Sequence, residues 1–225
     1  VILVATPSAF IKNVLSELTE SLENKFILSA TKGIIAEDYT TITEYFNKTY
    51  GLPYDNLGLI SGPSHAEEVS RNKLSYLTVT CKDADNAQKI GEMFRNDTFK
   101  VSHSTDIYGI EYAGVLKNVY AIASGVCQGF RCGDNFQAML VSNALKEMSH
   151  FLQAASPEIV RDMSDSVYLG DLLVTGYSKF SRNRVFGSMI GKGYSVKNAQ
   201  IEMEMIAEGY YAAKCIKEIN EHYRI

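Results

Sequence analysis

Short apolar runs alternate with helically spaced apolar positions through the first half of the chain, and beyond Asp106 only the helical spacing remains. Val1-Ile2-Leu3-Val4-Ala5 is an unbroken apolar run, the pattern of a strand buried on both faces. Pro7-Ser8 opens a predicted helix carrying Ile11, Val14, Leu15, Leu18 and Leu22 at helical spacing. Lys25 to Thr31 reads as a second strand. Asp38 is the predicted N-cap of a helix through Ile42, Tyr45 and Phe46, which Gly51-Leu52-Pro53 ends. Leu57 to Ser61 is a third strand, and Tyr76 to Cys81 and Phe99 to His103 are strands flanking a helix from Asp83 to Phe94. Strands separated by helices predict a mostly parallel sheet in an α/β domain.

From Ile107 onward the helical segments are 107–130, 135–154, 156–164, 181–191 and 197–223. An α/β half followed by an all-helical half predicts two domains, 1–105 and 106–225. No linker composition separates them, so the long helix at 107–130 is expected to pack directly on the sheet domain. The chain enters its first strand at residue 1 without an initiator Met, and no G-x-G-x-x-G follows a strand and opens a helix. Gly191-Lys192-Gly193 lacks both that context and the third glycine. The sequence reads as an internal segment of a longer protein, expected by itself to hold little dinucleotide.

Composition narrows the classes. Of 225 residues 46% are apolar and 21% charged, a globular balance, and four prolines leave no Pro-rich linker. A net charge of −4 provides no global cationic field to draw nucleic acid or an anionic membrane. No apolar run approaches the roughly 18 residues needed to span a bilayer. The N-terminal residues lack a signal-peptide layout. Cys81, Cys127, Cys132 and Cys215 form no C-x-x-C pair and read as buried or idle thiols of a reducing cytosol. The four histidines show no H-x-x-x-H spacing, and no metal is expected.

Four clusters carry candidate chemistry. Ala30-Thr31-Lys32-Gly33 follows a predicted parallel strand, at the edge where open α/β sheets bind ligands. Lys32 there faces either solvent or a phosphate or developing charge. Ser61-Gly62-Pro63-Ser64-His65-Ala66 also leaves a strand. It is either a turn with Ser64 capping a helix through Glu67 and Glu68, or a loop that lets a ligand approach Gly62 and Ser64. Within the long helix, projection at about 100° per residue sets Lys117 among Ala113, Ala121 and Ser124, with Gly114 and Gly125 at the edge. A lysine in a lane of small residues has room for a substrate, and desolvation there would bring its pKa toward neutral for acid/base work. The alternative is a surface lysine whose stem lies along apolar neighbours. Last come Gly170-Asp171-Leu172-Leu173-Val174-Thr175 and Ser181-Arg182-Asn183-Arg184. Ser181 is a good N-cap, and Arg182 and Asn183 beside the free N–H groups of a helix start make a phosphate-compatible anion site.

In this order, together with Leu116-Lys117-Asn118-Val119 and Glu208-Gly209, these motifs resemble the bacterial-type NAD(P)-dependent glycerol-3-phosphate dehydrogenase family across essentially the whole chain. The resemblance implies a partial Rossmann-like domain, then an all-α domain of the 6-phosphogluconate-dehydrogenase-like type. The implied cofactor is NAD or NADP. The implied reaction interconverts sn-glycerol 3-phosphate and dihydroxyacetone phosphate and feeds glycerophospholipid synthesis. It makes Lys117 the proton acceptor, Lys32 a contact to cofactor and substrate, and both Lys32 and Asp171 members of the catalytic group. Gly62, Ser64, Asp171, Ser181, Arg182 and Asn183 become substrate contacts, with Asn118 and Thr175 as supporting polar residues. Ala66, Arg182, Ile206 and Glu208 become cofactor contacts. Gly176 stands where many members have Cys, and Tyr168 where Gly is usual. The rival readings are a related two-domain hydroxy-acid or sugar-acid dehydrogenase and a non-catalytic, nucleotide-sensing relative. The expected partner is a small-molecule substrate in the cytoplasm, with neither nucleic acid nor stable membrane insertion; the homodimer is left open.

Overall fold

Five strands hydrogen-bond into one sheet in the order β1-β2-β3-β4-β5 in the computed structural model, which describes residues 1–203 and 205–224, with 222 and 223 by backbone alone. The strands are β1 Ile2–Val4, β2 Ile27–Ser29, β3 Leu57–Ser61, β4 Ser75–Cys81 and β5 Phe99–Ser104. All neighbours run parallel except β3 and β4, so the sheet is mostly parallel, as expected. Period-two alternation sends Ile27 to one face and Leu28 to the other. Ile27 joins Ile11, Ile42, Phe46 and Leu57 in one core, while Leu28 joins Val79, Ala87, Ile90 and Val101 in a second.

The first helices are shorter than the periodicity suggests. A 3-10 turn Ser8–Phe10 leads into α1, Ile11–Ser16, and the helix stops there instead of reaching Leu22. Ser16 Oγ donates back to the Asn13 carbonyl at 2.7 Å, a local bond that competes with helix continuation. Val14 and Leu18 are exposed, and Leu22 reaches the core from a loop. Helix α2 spans Ile42–Tyr50, with Thr41 rather than Asp38 as its N-cap. Thr41 and Glu44 form a capping box, two reciprocal bonds that an isolated Asp cannot match, and Asp38 pairs with Lys12 at 2.7 Å. The N–H of Thr43 donates to the buried carboxylate of Glu111 at 2.9 Å. Helix α3 is the single turn Ala66–Val69. His65, not Ser64, is its N-cap, because Ser64 Oγ donates to the Gly62 carbonyl at 3.2 Å. Helix α4, Ala84–Phe94, starts at its Asp83 cap.

Strand β1 lies at the sheet edge, and Val1, Ile2 and Leu3 are exposed.

Helix α5, Ile107–Gly129, is capped by Asp106 and buried over most of its circumference, as a helix apolar all round must be. Ile107 and Ile110 pack on Leu59 of β3, so the helix does sit directly on the sheet. Around it stand α6 Asp134–Ala155, α7 Asp171–Tyr177, α8 Arg182–Gly191, α9 Val196–Glu202 and α10 Glu208–Tyr223. The most extensive packing is between α5 and α8. A Cβ on Gly125 would collide with the Arg184 carbonyl and one on Gly187 with the Ile122 carbonyl, so only glycine permits this crossing.

The predicted helix at 156–164 is absent. Arg161 lies buried there and collects the carbonyls of Leu152, Ser156 and Ile159 on one guanidinium nitrogen. Its remaining N–H groups fork onto Asp106. The Ser156 and Ile159 carbonyls, turned inward to a buried cation, are lost to a helical ladder. The chain instead passes through a π-helical turn, Ser166–Gly170, into α7. The predicted helix 197–223 is interrupted between Glu202 and Glu208. Residue 204 lies outside the described residues. Asn183 Oδ1 accepts the Gly209 N–H at 2.9 Å and fixes the start of α10 beside α8.

Candidate active site

The carboxyl ends of the parallel strands β1, β2 and β3 point to one edge of the sheet, where helices α5, α7 and α8 close over them. The resulting cleft measures about 420 Å³. Ala5-Thr6-Pro7, Ala30-Thr31-Lys32 and Ile60 with Ser64 contribute the strand ends. Lys117, Asn118, Asp171 and Thr175 form the floor, and Ser181, Arg182 and Asn183 one wall.

Lys117 extends from the middle of α5 and is only 5% exposed. Its Nζ donates to Asp171 Oδ1, and the second carboxylate oxygen, Oδ2, accepts from Lys32 Nζ at 3.0 Å. Lys32 also donates to the Gly62 carbonyl at 2.9 Å. Its stem lies over Gly114 of α5, within 3.7 Å of where a Cβ would stand. Ser61 Oγ adds a longer bond to Asp171 Oδ2 at 3.4 Å. One buried carboxylate thus bridges two lysines that reach it from opposite halves of the chain.

The electrostatics follow from that count. Burial pushes the Lys117 pKa down to about 7 from its ordinary 10.5, with Asp171 opposing and Lys32 reinforcing the fall. Burial also raises Asp171, yet the two ammonium groups outweigh it and hold the carboxyl below the usual carboxylate range. The two directions agree. Asp171 is served by two cations, whereas Lys117 shares one anion with a competing lysine and, among the described residues, has no other ion-pair partner.

Supporting bonds orient these groups. Thr175 Oγ1 donates to the Asp171 carbonyl at 2.6 Å, and Asn118 Nδ2 to the Lys32 carbonyl at 2.8 Å. Behind α7, Ser124 Oγ donates to the Gly176 carbonyl at 2.6 Å and receives Gln137 Nε2. Ser181 caps α8, its Oγ accepting the Arg184 N–H at 3.3 Å. The N–H groups of the first turn of α8 therefore open beside the cleft, with Arg182 exposed to it.

Of the residues singled out in the sequence, all but Gly62 line this cleft. Gly62 stands just behind it, at φ +117°, where a Cβ would come within 2.7 Å of the Tyr76 carbonyl. Ala66 is exposed at the rim and Ile206 half-buried. Glu208 also lines the cleft, but both its oxygens are taken by Ser8: Oε1 accepts the N–H at 2.9 Å and Oε2 the hydroxyl. Ser61, Ser8, His65 and Phe180 are participants that sequence reasoning assigned no role in the site. Ser61 alone carried a signal, its place immediately before Gly62-Pro63. No group of three or more metal-ligating side chains occurs among the described residues.

A Rossmann-like, mostly parallel sheet joined to a helical half, with a lysine–aspartate–lysine group where they meet, defines a two-part nicotinamide-nucleotide dehydrogenase fold. Residues 1–87 match the family model described as the N-terminus of NAD-dependent glycerol-3-phosphate dehydrogenase, and residues 106–225 match the C-terminus of the same. The chain belongs to the NAD-dependent glycerol-3-phosphate dehydrogenase family. It is 35% identical over 218 residues to a glycerol-3-phosphate dehydrogenase [NAD(P)+] of Pseudomonas syringae, covering 96% of this chain and 62% of that protein. A protein of the same name from Francisella tularensis is 35% identical over 227 residues, covering all of this chain and 67% of its own length. The crystal structure of glycerol-3-phosphate dehydrogenase from Coxiella burnetii superposes with a TM-score of 0.89 at 27% identity, over all of this chain and 68% of that one. The chain thus spans about two thirds of the length of these relatives. No helix among the described residues is long and apolar enough to cross a membrane.

Proposed function

We propose that the protein interconverts sn-glycerol 3-phosphate and dihydroxyacetone phosphate with NAD or NADP. The observation that carries this reading is the buried Lys117–Asp171–Lys32 group lying in one cleft with the phosphate-compatible start of α8. Residues 1–105 serve in this reading as part of the dinucleotide-binding domain and 106–225 as the substrate domain.

The residues present fit a nicotinamide dinucleotide. The cleft follows the carboxyl ends of β1 and β2, where open α/β sheets take such ligands, and Arg182 offers it a cation. When bound, the nicotinamide supplies the hydride acceptor or donor. This chain's own groups do the rest. Neutral Lys117 Nζ accepts the C2 hydroxyl proton of glycerol 3-phosphate, and as an ammonium it polarises the C2 carbonyl in the reverse direction. A pKa near 7 lets it do both close to neutral pH. Asp171 holds the amine in place, and Lys32, bonded to the second oxygen of the same carboxylate, fixes its position. Ser181, Asn183, Arg182 and the α8 N–H groups hold the phosphate, fixing the reacting carbon by contacts remote from it. Thr175 and Asn118 keep Asp171 and the Lys32 backbone in register. Gly62 and Ser64 border the substrate, and Ala66, Ile206 and Glu208 the cofactor. The same reading places the protein in the cytoplasm, where free thiols stay reduced.

A substrate panel tests it. Glycerol 3-phosphate should drive formation of reduced nicotinamide nucleotide in the intact protein, and unphosphorylated glycerol and sugar acids should not. Turnover of a hydroxy acid or sugar acid in preference would assign the site to a different dehydrogenase.

A further inference from the structure

The last turn of α5 and the loop after it hold two thiols that the site does not use. Arg131 is left-handed, at φ +60°. The Cys132 N–H donates to the Cys127 carbonyl and the Arg131 N–H to the Gln128 carbonyl, both at 3.0 Å. These two bonds, six-to-one and five-to-two, define a Schellman helix terminus. That motif brings the side chains at its first and last positions together, and an apolar pair usually stands there. Here the pair is Cys127 and Cys132. Burial, with Cys132 as the neighbouring thiol, raises the Cys127 pKa. Cys132 is exposed and Cys127 half-buried, whereas Cys81 and Cys215 are buried in the core.

We propose that Cys127 and Cys132 form a reversible disulfide when the protein meets a hydroperoxide, making the end of α5 a redox-modification site. The exposed Cys132 thiolate attacks one peroxide oxygen. The O–O bond breaks, the peroxide is reduced to water or the corresponding alcohol, and Cys132 becomes a sulfenic acid. Cys127 then attacks the Cys132 sulfur. The S–S bond forms, the S–O bond breaks, and the Cys127 proton leaves with the oxygen as water. Two thiols and one hydroperoxide thus give one disulfide, water and the reduced peroxide. A dithiol reverses the step by exchange. The backbone bonds hold the partners side by side beforehand, so the second step outruns further oxidation of Cys132.

The experiment is peroxide titration of the full chain, followed by alkylation of the remaining thiols and trypsin digestion without reductant. Cleavage after Lys117, Arg131 and Lys146 separates the two cysteines into neighbouring peptides, 118–131 and 132–146. The expected result is these two peptides joined and two hydrogens lighter, released by dithiothreitol, with Cys81 and Cys215 alkylated. Cys127→Ser should leave Cys132 as a sulfenic acid trapped by dimedone, and Cys132→Ser should leave Cys127 reduced. Retention of all four free thiols, sulfinic acid at Cys132 in the unsubstituted protein, or disulfides only between separate chains would each overturn the proposal.

Discussion

Replacing Asp171 by Asn removes one negative charge from a site that holds two ammonium groups. Asn keeps the shape but accepts on one side only, and its amide N–H2 is turned toward one lysine. Lys32 has 24% of its side chain exposed and can move its charge to water, whereas Lys117 has 6% and cannot. Removing one partner of a buried pair costs about 3–5 kcal/mol, and the exposure of Lys32 places this case near 3 kcal/mol at pH 7. The pH dependence distinguishes this cause from a packing defect. Without the carboxylate, the folded-state pKa of Lys117 falls further below its present value of about 7. As pH drops from 7 toward 5, the unfolded chain and the folded parent both carry the Lys117 proton, and the folded variant resists it. The deficit should therefore widen, by up to about 1.4 kcal/mol per pH unit, and should be flat above about pH 8. Urea unfolding of both proteins from pH 5 to 9 measures it. Adding Lys117→Met should abolish the pH-dependent part of the deficit. A loss under 1 kcal/mol, or a deficit independent of pH across that range, would refute the electrostatic account of the site.

Two further outcomes rest on separate observations. Arg182→Ala should weaken binding of dihydroxyacetone phosphate by at least tenfold while changing that of unphosphorylated dihydroxyacetone little, because charge-assisted phosphate bonds are worth about 1.5–3 kcal/mol; titration calorimetry with both ligands checks this, and equal losses would give Arg182 a structural role. Glu111 is buried with its pKa raised from 4.5 to about 6, mainly by desolvation. The unfolded carboxyl ionises first, so stability should fall by about 2 kcal/mol in total as pH rises through both values, most of it between about pH 4 and 6.5. Glu111→Gln should remove that fall from the stability–pH curve; persistence of the slope would assign it elsewhere.

The parts of the fold legible in the sequence are those set by contiguous residues. The lane of Ala113, Gly114, Ala121 and Ser124 announced room around Lys117, and the structure fills it with Lys32 and Asp171. Ser181 announced the α8 cap. What stayed hidden depends on partners far apart in the chain. Ser8 and Glu208 meet across 200 positions, and neither has a neighbour that signals the other. The loop at 156–164 carries helix formers, but Arg161, ion-paired with Asp106, takes the carbonyls of Ser156 and Ile159. The apolar run at Val1 to Ala5 reads as a strand, and Ile2 to Val4 do pair in parallel with β2. Periodicity reports how apolar a face is, not whether anything covers it.

The central claim is that Lys117, held neutral-accessible by burial and oriented by Asp171, moves the proton of the reaction. The most direct measurement is the pH profile of kcat/KM for glycerol 3-phosphate oxidation, which reports the free enzyme's groups, in the intact protein and in its Lys117→Met variant. The parent should show a limb that rises through a pKa near 7, as the amine loses its proton. The variant should lose that limb and fall by roughly 10²–10⁴-fold at neutral pH. A variant that keeps more than about half of the parent turnover with the limb intact would contradict the role given to Lys117.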